Sequence, residues 1–225
     1  MSISADRAAR ALREQVAEGV LKSGTRLPEE RLAASLGVSR NTLREALSQL
    51  VAERILVRSP HRGVVVATPG AGDVRDVYRV RLLVEPGVCR DTASHSPDGL
   101  AAVRAAVEEG RAAAAAEDWT TVASANQHFH RALVALAGSP RLDGLMELLL
   151  AEMRLFFQRM GAPEPFHRPY LDDNAAIATL LERGAGAEAA DRLRTYLRAA
   201  EHQLVEAITA LDGDRADHQD GVRDR

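Results

Sequence analysis

The chain has 225 residues, 46% of them hydrophobic and 27% charged, which is enough apolar material for one or two packed domains. Aromatic residues make up only 4%, so the core must rest on Leu, Val, Ile and Ala, a composition that favours packed helices. The formal charge of −3 is unevenly shared: residues 1–67 carry 11 basic against 7 acidic side chains and the remainder 18 against 25, so only the N-terminal part has the sign for a polyanionic partner. No apolar run approaches the ~18 residues of a membrane span, and the first 30 residues lack the apolar segment of a secretory signal. The single cysteine, Cys89, excludes an intrachain disulfide and suits a reducing cytoplasm, where it reads as a small buried hydrophobe.

Residues 4–21 place Ala9, Leu12, Val16 and Val20 on one stripe and predict a first helix. Lys22-Ser23-Gly24-Thr25 is a loop, and Pro28 then opens a second helix whose Glu29 and Glu30 suit its positive end. The stretch from Arg31 to Arg44 reads as the close of that helix, a tight turn and the start of a third. Leu32, Ala33 and Leu36 share one face, Gly37 supplies the left-handed residue, Val38 plugs the turn, and Ser39 is a good N-cap. In the third helix Leu43, Ala46, Leu47 and Leu50 form the apolar stripe, leaving Arg40, Asn41, Arg44, Glu45 and Ser48 outside. A guanidinium can hold guanine O6 and N7 bidentately, so Arg40 and Arg44, one turn apart on an exposed helix start, suit major-groove reading. A short helix, a Gly-containing turn and this face together make a helix-turn-helix. Past Glu53 the period changes. Ile55-Leu56-Val57 and Val64-Val65-Val66 are short β-type runs around Ser59-Pro60-His61-Arg62-Gly63, a hairpin that forms a wing with His61 and Arg62 at its tip, within reach of phosphate or the minor groove.

This N-terminal part resembles the winged-helix domain of GntR-type transcription regulators. The likeness rests on Leu27-Pro28, Glu30-Arg31-Leu32-Ala33, Leu36-Gly37-Val38-Ser39-Arg40, Thr42-Leu43-Arg44-Glu45-Ala46-Leu47, Leu50 and the wing Gly63-Val64-Val66, and spans roughly residues 5–67. It implies that Arg31, Arg40 and Arg44 contact DNA and that Gly63 lets the wing backbone approach the minor groove. Together with the residues around them, the expected DNA-binding set is Arg31, Ser39, Arg40, Asn41, Thr42, Arg44, His61, Arg62 and Gly63. Two departures stand out: Glu29 occupies the place of a capping Ser, and Glu53-Arg54 replaces Glu-Gly before the hairpin.

Residues 68–72 are a Pro/Gly-rich linker, and helical patterns follow. Residues 73–94 carry Val77, Val80, Val84 and Val88 on one side. Pro97 starts a second helix that includes the Ala112–Ala116 run, and Asp118 caps a third that Gly138 ends. Pro140 opens a fourth, which closes near Met160. Residues 161–168, with two prolines, form a loop. A fifth helix spans about 171–183 and a sixth runs from Glu188 to Leu211. The polar tail, residues 212–225, is expected to be disordered. The expected architecture is therefore mostly α: a winged helix-turn-helix over 1–67, then a bundle of about six helices over 73–211.

This second part resembles the FCD effector domain of the FadR-type GntR subgroup, on Tyr78-Arg79-Val80-Arg81-Leu82-Leu83-Val84-Glu85, the Phe129-His130 pair followed by Leu133, and the Ala189-Ala190 helix. Members of that subgroup often hold a divalent metal on an Asp and a His four residues apart plus two later histidines. Those positions fall here on Asn126, His130, Asn174 and Tyr196, so one of four is an established ligand. Neutral amides are poor substitutes for carboxylate and imidazole, so this departure from the family's ligand set makes a bound metal unexpected, and no other cofactor is expected. His128 faces about 160° away round the helix and cannot complete the set. The same four side chains, with Arg81, converge as donors and acceptors in an apolar bundle, as small-molecule pockets do, and a guanidinium favours a carboxylate. The bland alternative for Arg81 is an ion pair with Glu85, its i+4 neighbour. The reading is a cytoplasmic, homodimeric DNA-binding repressor with a small carboxylate effector at Arg81, Asn126, His130, Asn174 and Tyr196. The alternative is a constitutive dimeric regulator with a degenerate effector site. The roughly 140 remaining residues hold no Gly-rich phosphate loop or nucleophile elbow, which argues against an enzyme.

Overall fold

Two helix ends set the shape of the N-terminal unit. The computed structural model describes residues 3–17, 20–160 and 163–223, and these divide into one unit of residues 1–69 with 151–159 and another of residues 70–150 with 160–225. The first contains α1 (Ile3–Ala17), α2 (Glu29–Leu36), α3 (Arg40–Ala52), β1 (Leu56–Ser59) and β2 (Gly63–Val66). After α2, Gly37 sits at φ 64°, its N–H bonds Ala34 O and the N–H of Val38 bonds Ala33 O. This paired closure satisfies the last carbonyls and turns the chain toward α3. Ser39 then caps α3, its hydroxyl accepting from the Thr42 N–H at 3.1 Å.

The end of α3 repeats the closure without a glycine. Arg54 adopts φ 59°, its N–H bonds Val51 O at 3.1 Å, and the N–H of Ile55 reaches Leu50 O at 3.0 Å. Leu50 and Ile55, the apolar pair that accompanies such a closure, are both fully buried. The departure from glycine therefore leaves the hairpin's exit intact and places the strain on Arg54. Strands β1 and β2 pair antiparallel with Leu56 opposite Val66 and Ser59 opposite Gly63. The stretch read as a plain loop, residues 22–25, partly joins them: Gly24 N–H bonds Val66 O, Leu27 N–H bonds Val64 O, and Arg26 bridges Val65. Leu12, Val16, Leu43, Leu47, Leu50, Ile55, Leu56 and Val66 fill the core, joined by Leu155 from a later helix. Val20, expected on the α1 stripe, lies beyond the end of that helix and is 66% exposed.

The second unit is helical: α4 (Ala71–Arg90), α5 (Pro97–Ala115), α6 (Trp119–Ala135), α7 (Pro140–Met160, of which Ala151–Arg159 groups with the first unit), α8 (Pro163–His167), α9 (Tyr170–Glu182) and α10 (Gly186–Arg223). Helix α4 lies along α10 and α5 along α6. Gly186 is needed where α10 begins, since any Cβ there would run into the backbone carbonyl of Cys89. Four boundaries differ from expectation. Ala71 and Gly72 already belong to α4, which ends at Arg90 before a separate 3-10 turn at Thr92–Ser94. The segment read as loop contains α8, because Pro163 and Pro165 fall in a first turn, where a missing N–H breaks no helical bond. Helix α10 extends past Leu211 to Arg223, since polarity prevents burial but does not prevent a helix from satisfying its own backbone; residues 224 and 225 lie outside the described residues. Finally, the inward face of α4 is Val74, Val77, Tyr78, Arg81, Glu85, Val88 and Cys89, with Val80 and Val84 only partly buried.

A left-handed conformation costs a side-chain-bearing residue roughly 1–2 kcal/mol relative to glycine, part of which glycine returns through its freer unfolded chain. Replacing Arg54 by Gly should therefore raise the urea midpoint of the full-length protein, corresponding to a gain on the order of 1 kcal/mol.

Candidate functional site

The outer face of α3 presents Arg40, Asn41 and Arg44 to solvent, with Ser39 at its capped start and Thr42 tied to the cap by a 2.8 Å hydroxyl contact. Arg31 is exposed on α2, and His61, Arg62 and Gly63 are exposed at the wing. The wing tip is a tight turn in which His61 takes φ 63° and Gly63 φ 75°, closed by Arg62 N–H to Ser59 O. All nine sequence-predicted residues thus lie in the winged unit, eight of them exposed and Thr42 half-buried. Two carboxylates that sequence reasoning did not assign to this face also lie on it. Glu30 Oε1 accepts from Arg40 Nη2 at 2.6 Å, and Glu29 Oε2 accepts from Arg44 Nε at 2.9 Å. The helix that Glu29 begins has Pro28 at its N-cap and no side-chain cap bond, so the Glu29 carboxylate turns to Arg44 instead. Glu53, the other departure, accepts three bonds from Arg13 and one from Gln49, which clamps α1 to the end of α3.

In the helical unit the five predicted effector residues come together in one buried network. Arg81 and Glu85 lie one turn apart on α4, and Arg81 Nε donates to Glu85 Oε1 at 2.6 Å. His130 on α6 lies with Nδ1 2.7 Å from Glu85 Oε2 and Nε2 2.9 Å from the hydroxyl of Tyr196 on α10. The Tyr196 hydroxyl also approaches Asn126 Oδ1 at 3.1 Å, and the amide of Asn174 on α9 donates to that same oxygen at 2.8 Å. Arg81 is 1% exposed and Glu85 and His130 are 0% exposed, so three ionisable groups lie wholly out of water. Tyr78 closes the cluster with its ring under the guanidinium, 4.8 Å from centroid to Cζ.

Electrostatics decides the protonation of this network. Burial pushes the Glu85 carboxyl up, but Arg81 and His130, through charge and hydrogen bonds, outweigh it and bring its pKa down to about 2. Burial works against the Arg81 charge, and Glu85 more than restores it. Burial, then the Arg81 charge, lowers the His130 pKa despite the opposing pull of Glu85. A neutral His130 with its proton on Nδ1 donates to Glu85 and offers Nε2 to Tyr196, whose phenol burial keeps protonated. The Tyr196 hydroxyl then has one proton and two acceptors, His130 and Asn126.

Glu85 is the residue that sequence reasoning undervalued, having placed it only as a surface ion-pair partner. It is the hub, and the ion pair given above as the bland alternative is formed: Glu85 neutralises Arg81. The spacing signal was present, but an i, i+4 Arg–Glu pair looks the same on either face of a helix. The donor set does not fit a transition metal. It offers one imidazole whose two nitrogens already face Glu85 and Tyr196, two neutral amides and a protonated phenol, and among the described residues no three His, Cys, Asp or Glu side chains cluster as a metal would need. His128 points elsewhere, with Nδ1 2.8 Å from Glu109. Beside the network, Asn126, Asn174 and His167 help to line a cavity of about 10 Å³, with room for one water. Asn174 Oδ1 is buried at its edge without a hydrogen-bond partner.

Comparison with known proteins agrees with this division. Residues 4–66 match the gntR family of bacterial regulatory proteins, and residues 76–199 match the FCD domain. A GntR regulator from Rhodococcus sp. RHA1 is 38% identical and superimposes over 92% of this chain and 99% of its own with a TM-score of 0.84. McbR/YncC of Escherichia coli shares the fold over 92% of this chain and 99% of its own, at 22% identity and a TM-score of 0.77. Among curated relatives, the HTH-type regulator YdhC of Bacillus subtilis is 30% identical over 60% of this chain, and the gluconate operon transcriptional repressor of Bacillus subtilis is 40% identical over 35%. The matched parts span 62% and 32% of those two relatives.

Removing one partner of a buried ion pair leaves the other uncompensated, typically at a cost of about 3–5 kcal/mol. Glu85→Ala should lower the denaturant midpoint accordingly, and far more than Glu109→Ala, which removes a half-buried carboxylate. The pH response has a definite sign. Glu85 has a depressed pKa, so its contribution is present above about 4.5 and is lost as pH falls toward about 2. His130 is also depressed, so the unfolded chain takes up its proton first, and stability falls once pH drops below 6.5. Thermal midpoints between pH 7.5 and 5.5 should therefore decline in the parent protein, with a shallower slope in His130→Gln.

Proposed function

The chain belongs to the gntR family of bacterial regulatory proteins and carries the FCD domain of its FadR-type branch, and from that membership we propose a cytoplasmic repressor of a metabolic operon, switched by a small carboxylate-bearing metabolite. Members of these families are DNA-binding transcription regulators rather than enzymes. Among the described residues no helix is long and apolar enough to cross a membrane. The gluconate operon repressor among its relatives supports the reading of operon control. In this proposal Arg40 and Arg44 read base edges in the major groove of an operator duplex. Arg31, Ser39, Asn41, Thr42, His61, Arg62 and the Gly63 backbone fix the reader on phosphate and the minor groove. One short helix touches too few base pairs for useful selectivity, so two copies of the chain read paired half-sites as a homodimer.

The observation that carries the effector reading is the complete burial of Arg81, Glu85 and His130. A buried ion pair adds little to stability compared with apolar side chains of the same shape, so stability alone does not account for this cluster. A ligand carboxylate can take the place of Glu85 on Arg81 in kind, while Asn126, Asn174, His130 and Tyr196 offer it hydrogen bonds. A second reading, a constitutive dimer with a degenerate effector site, is favoured by a different observation: these groups already satisfy one another, and the adjoining cavity of about 10 Å³ holds no more than a water.

A thermal-shift screen of the full-length protein against small carboxylic acids separates the two, because a ligand that prefers the folded state must raise the midpoint. A hit that changes DNA affinity and loses that effect in Arg81→Leu supports the switch; no shift from any acid supports the constitutive reading. Arg40→Ala and Arg44→Ala should each cost on the order of 1–3 kcal/mol on the preferred duplex and less on random DNA. Sedimentation at micromolar concentration should give a dimer, and a clean monomer would defeat the paired-half-site scheme.

A further inference from the structure

The reading arginines are not free in the absence of DNA. Each is held by a carboxylate from the first turn of α2, Arg44 by Glu29 and Arg40 by Glu30. We propose that Glu29 and Glu30 are specificity-determining residues, holding Arg44 and Arg40 in ion pairs that cancel their charge toward phosphate and are exchanged at a base edge.

The inference rests on the reading of α3 as the base-contacting helix. Binding to arbitrary DNA comes from cations that neutralise phosphates. A guanidinium that already holds a carboxylate brings no net charge to that exchange. Giving the arginine to a phosphate merely swaps one anion for another and leaves the freed glutamate beside a polyanion. At a G·C pair the outcome differs. Guanine N7 and O6 accept both arms of the guanidinium, and the N4 amino group of cytosine is a donor that a freed carboxylate can accept from. The same glutamate is therefore penalised against phosphate and compensated against a base pair, and selectivity lies in that difference.

The geometry suits an exchange. Both arginines are about two-thirds exposed, at 66% and 64%, so neither pair is locked by packing. Exposed pairs of this kind add little to stability and open readily. Glu29 is the better placed of the two, 33% exposed against 81% for Glu30, and it stands where the family resemblance leads one to expect a capping Ser.

The test needs a preferred duplex, obtained by selecting from a random-sequence library with the full-length protein. Dissociation constants for the preferred and a random duplex are then measured across a salt series for the parent, Glu29→Gln, Arg44→Ala and the double variant. Glu29→Gln should bind random duplex several-fold tighter, with the log–log salt slope steeper by about 0.9. Its gain on the preferred duplex should be smaller, so that the preferred-to-random ratio falls several-fold. In the Arg44→Ala background the same substitution should leave the ratio unchanged. A ratio that stays level or rises in Glu29→Gln, or that falls equally without Arg44, overturns the proposal. If Arg44→Ala itself weakens both duplexes by one factor, the base-reading role fails instead, which is a distinguishable result. Where Glu29→Gln melts early, Glu30→Gln carries the same comparison through Arg40.

Discussion

The helical unit depends on one buried carboxylate. Glu85 lies where no water reaches it, so its charge can persist only because Arg81 and His130 face it from either side. That requirement ties α4 to α6, and the chain of bonds continues through Tyr196 on α10 and Asn126 to Asn174 on α9. Apolar side chains tolerate small slips along a helix, whereas this chain of directed bonds does not. A shift of α4 by one residue would remove Arg81 and Glu85 from the seam and leave His130 without its acceptor. The network thus helps to set helix register, together with the buried rings of Phe129, Tyr170 and Tyr196 that pack beside it.

The winged unit uses the opposite arrangement. Its core is apolar throughout, and its ion pairs lie at the surface or its edge. There the Arg13–Glu53 pair is the structural one, bidentate and with Glu53 only 11% exposed, while the pairs on the reading face are open to solvent. The same chemistry, guanidinium against carboxylate, therefore serves three ends in one chain. It sets register where it is fully buried, clamps two helices where it is half-buried, and remains exchangeable where it is exposed. Burial makes the difference, because the desolvation that raises the cost of a lost partner is absent at the surface.

What the sequence shows directly is what periodicity and chain punctuation govern. Helix α7 begins at Pro140 and ends at Met160 as expected, Ser39 caps α3, Gly37 closes α2, and the hairpin falls where the period changes. Asn126, His130, Asn174 and Tyr196 were legible through the family resemblance and Arg81 through its charge, and the structure brings the five together. The hub of their network was not legible. Choosing Val80 and Val84 for the inner face of α4 followed hydrophobicity, and the real inner face carries Tyr78, Arg81 and Glu85 because α6 and α10 offer partners there. No local rule shows which face of a helix will meet a histidine 45 residues away. Arg54 escaped for a related reason, since a non-glycine residue in a left-handed position is stable only where the closure around it, Leu50 against Ile55, over-determines the backbone.

The charge balance of the buried network also restricts what can enter it. With Arg81 positive, Glu85 negative and His130 neutral, the site carries no net charge to attract an ion, and each of its residues hydrogen-bonds another. A neutral polar ligand would have to outbid bonds that the amides and phenol already make. Entry of a carboxylate at Arg81, as proposed above, would compete with Glu85 Oε1 for the guanidinium and loosen the tie between α4 and α6. It would also bring a second negative charge beside the buried Glu85, so a proton must accompany it or the displaced Glu85 must reach water.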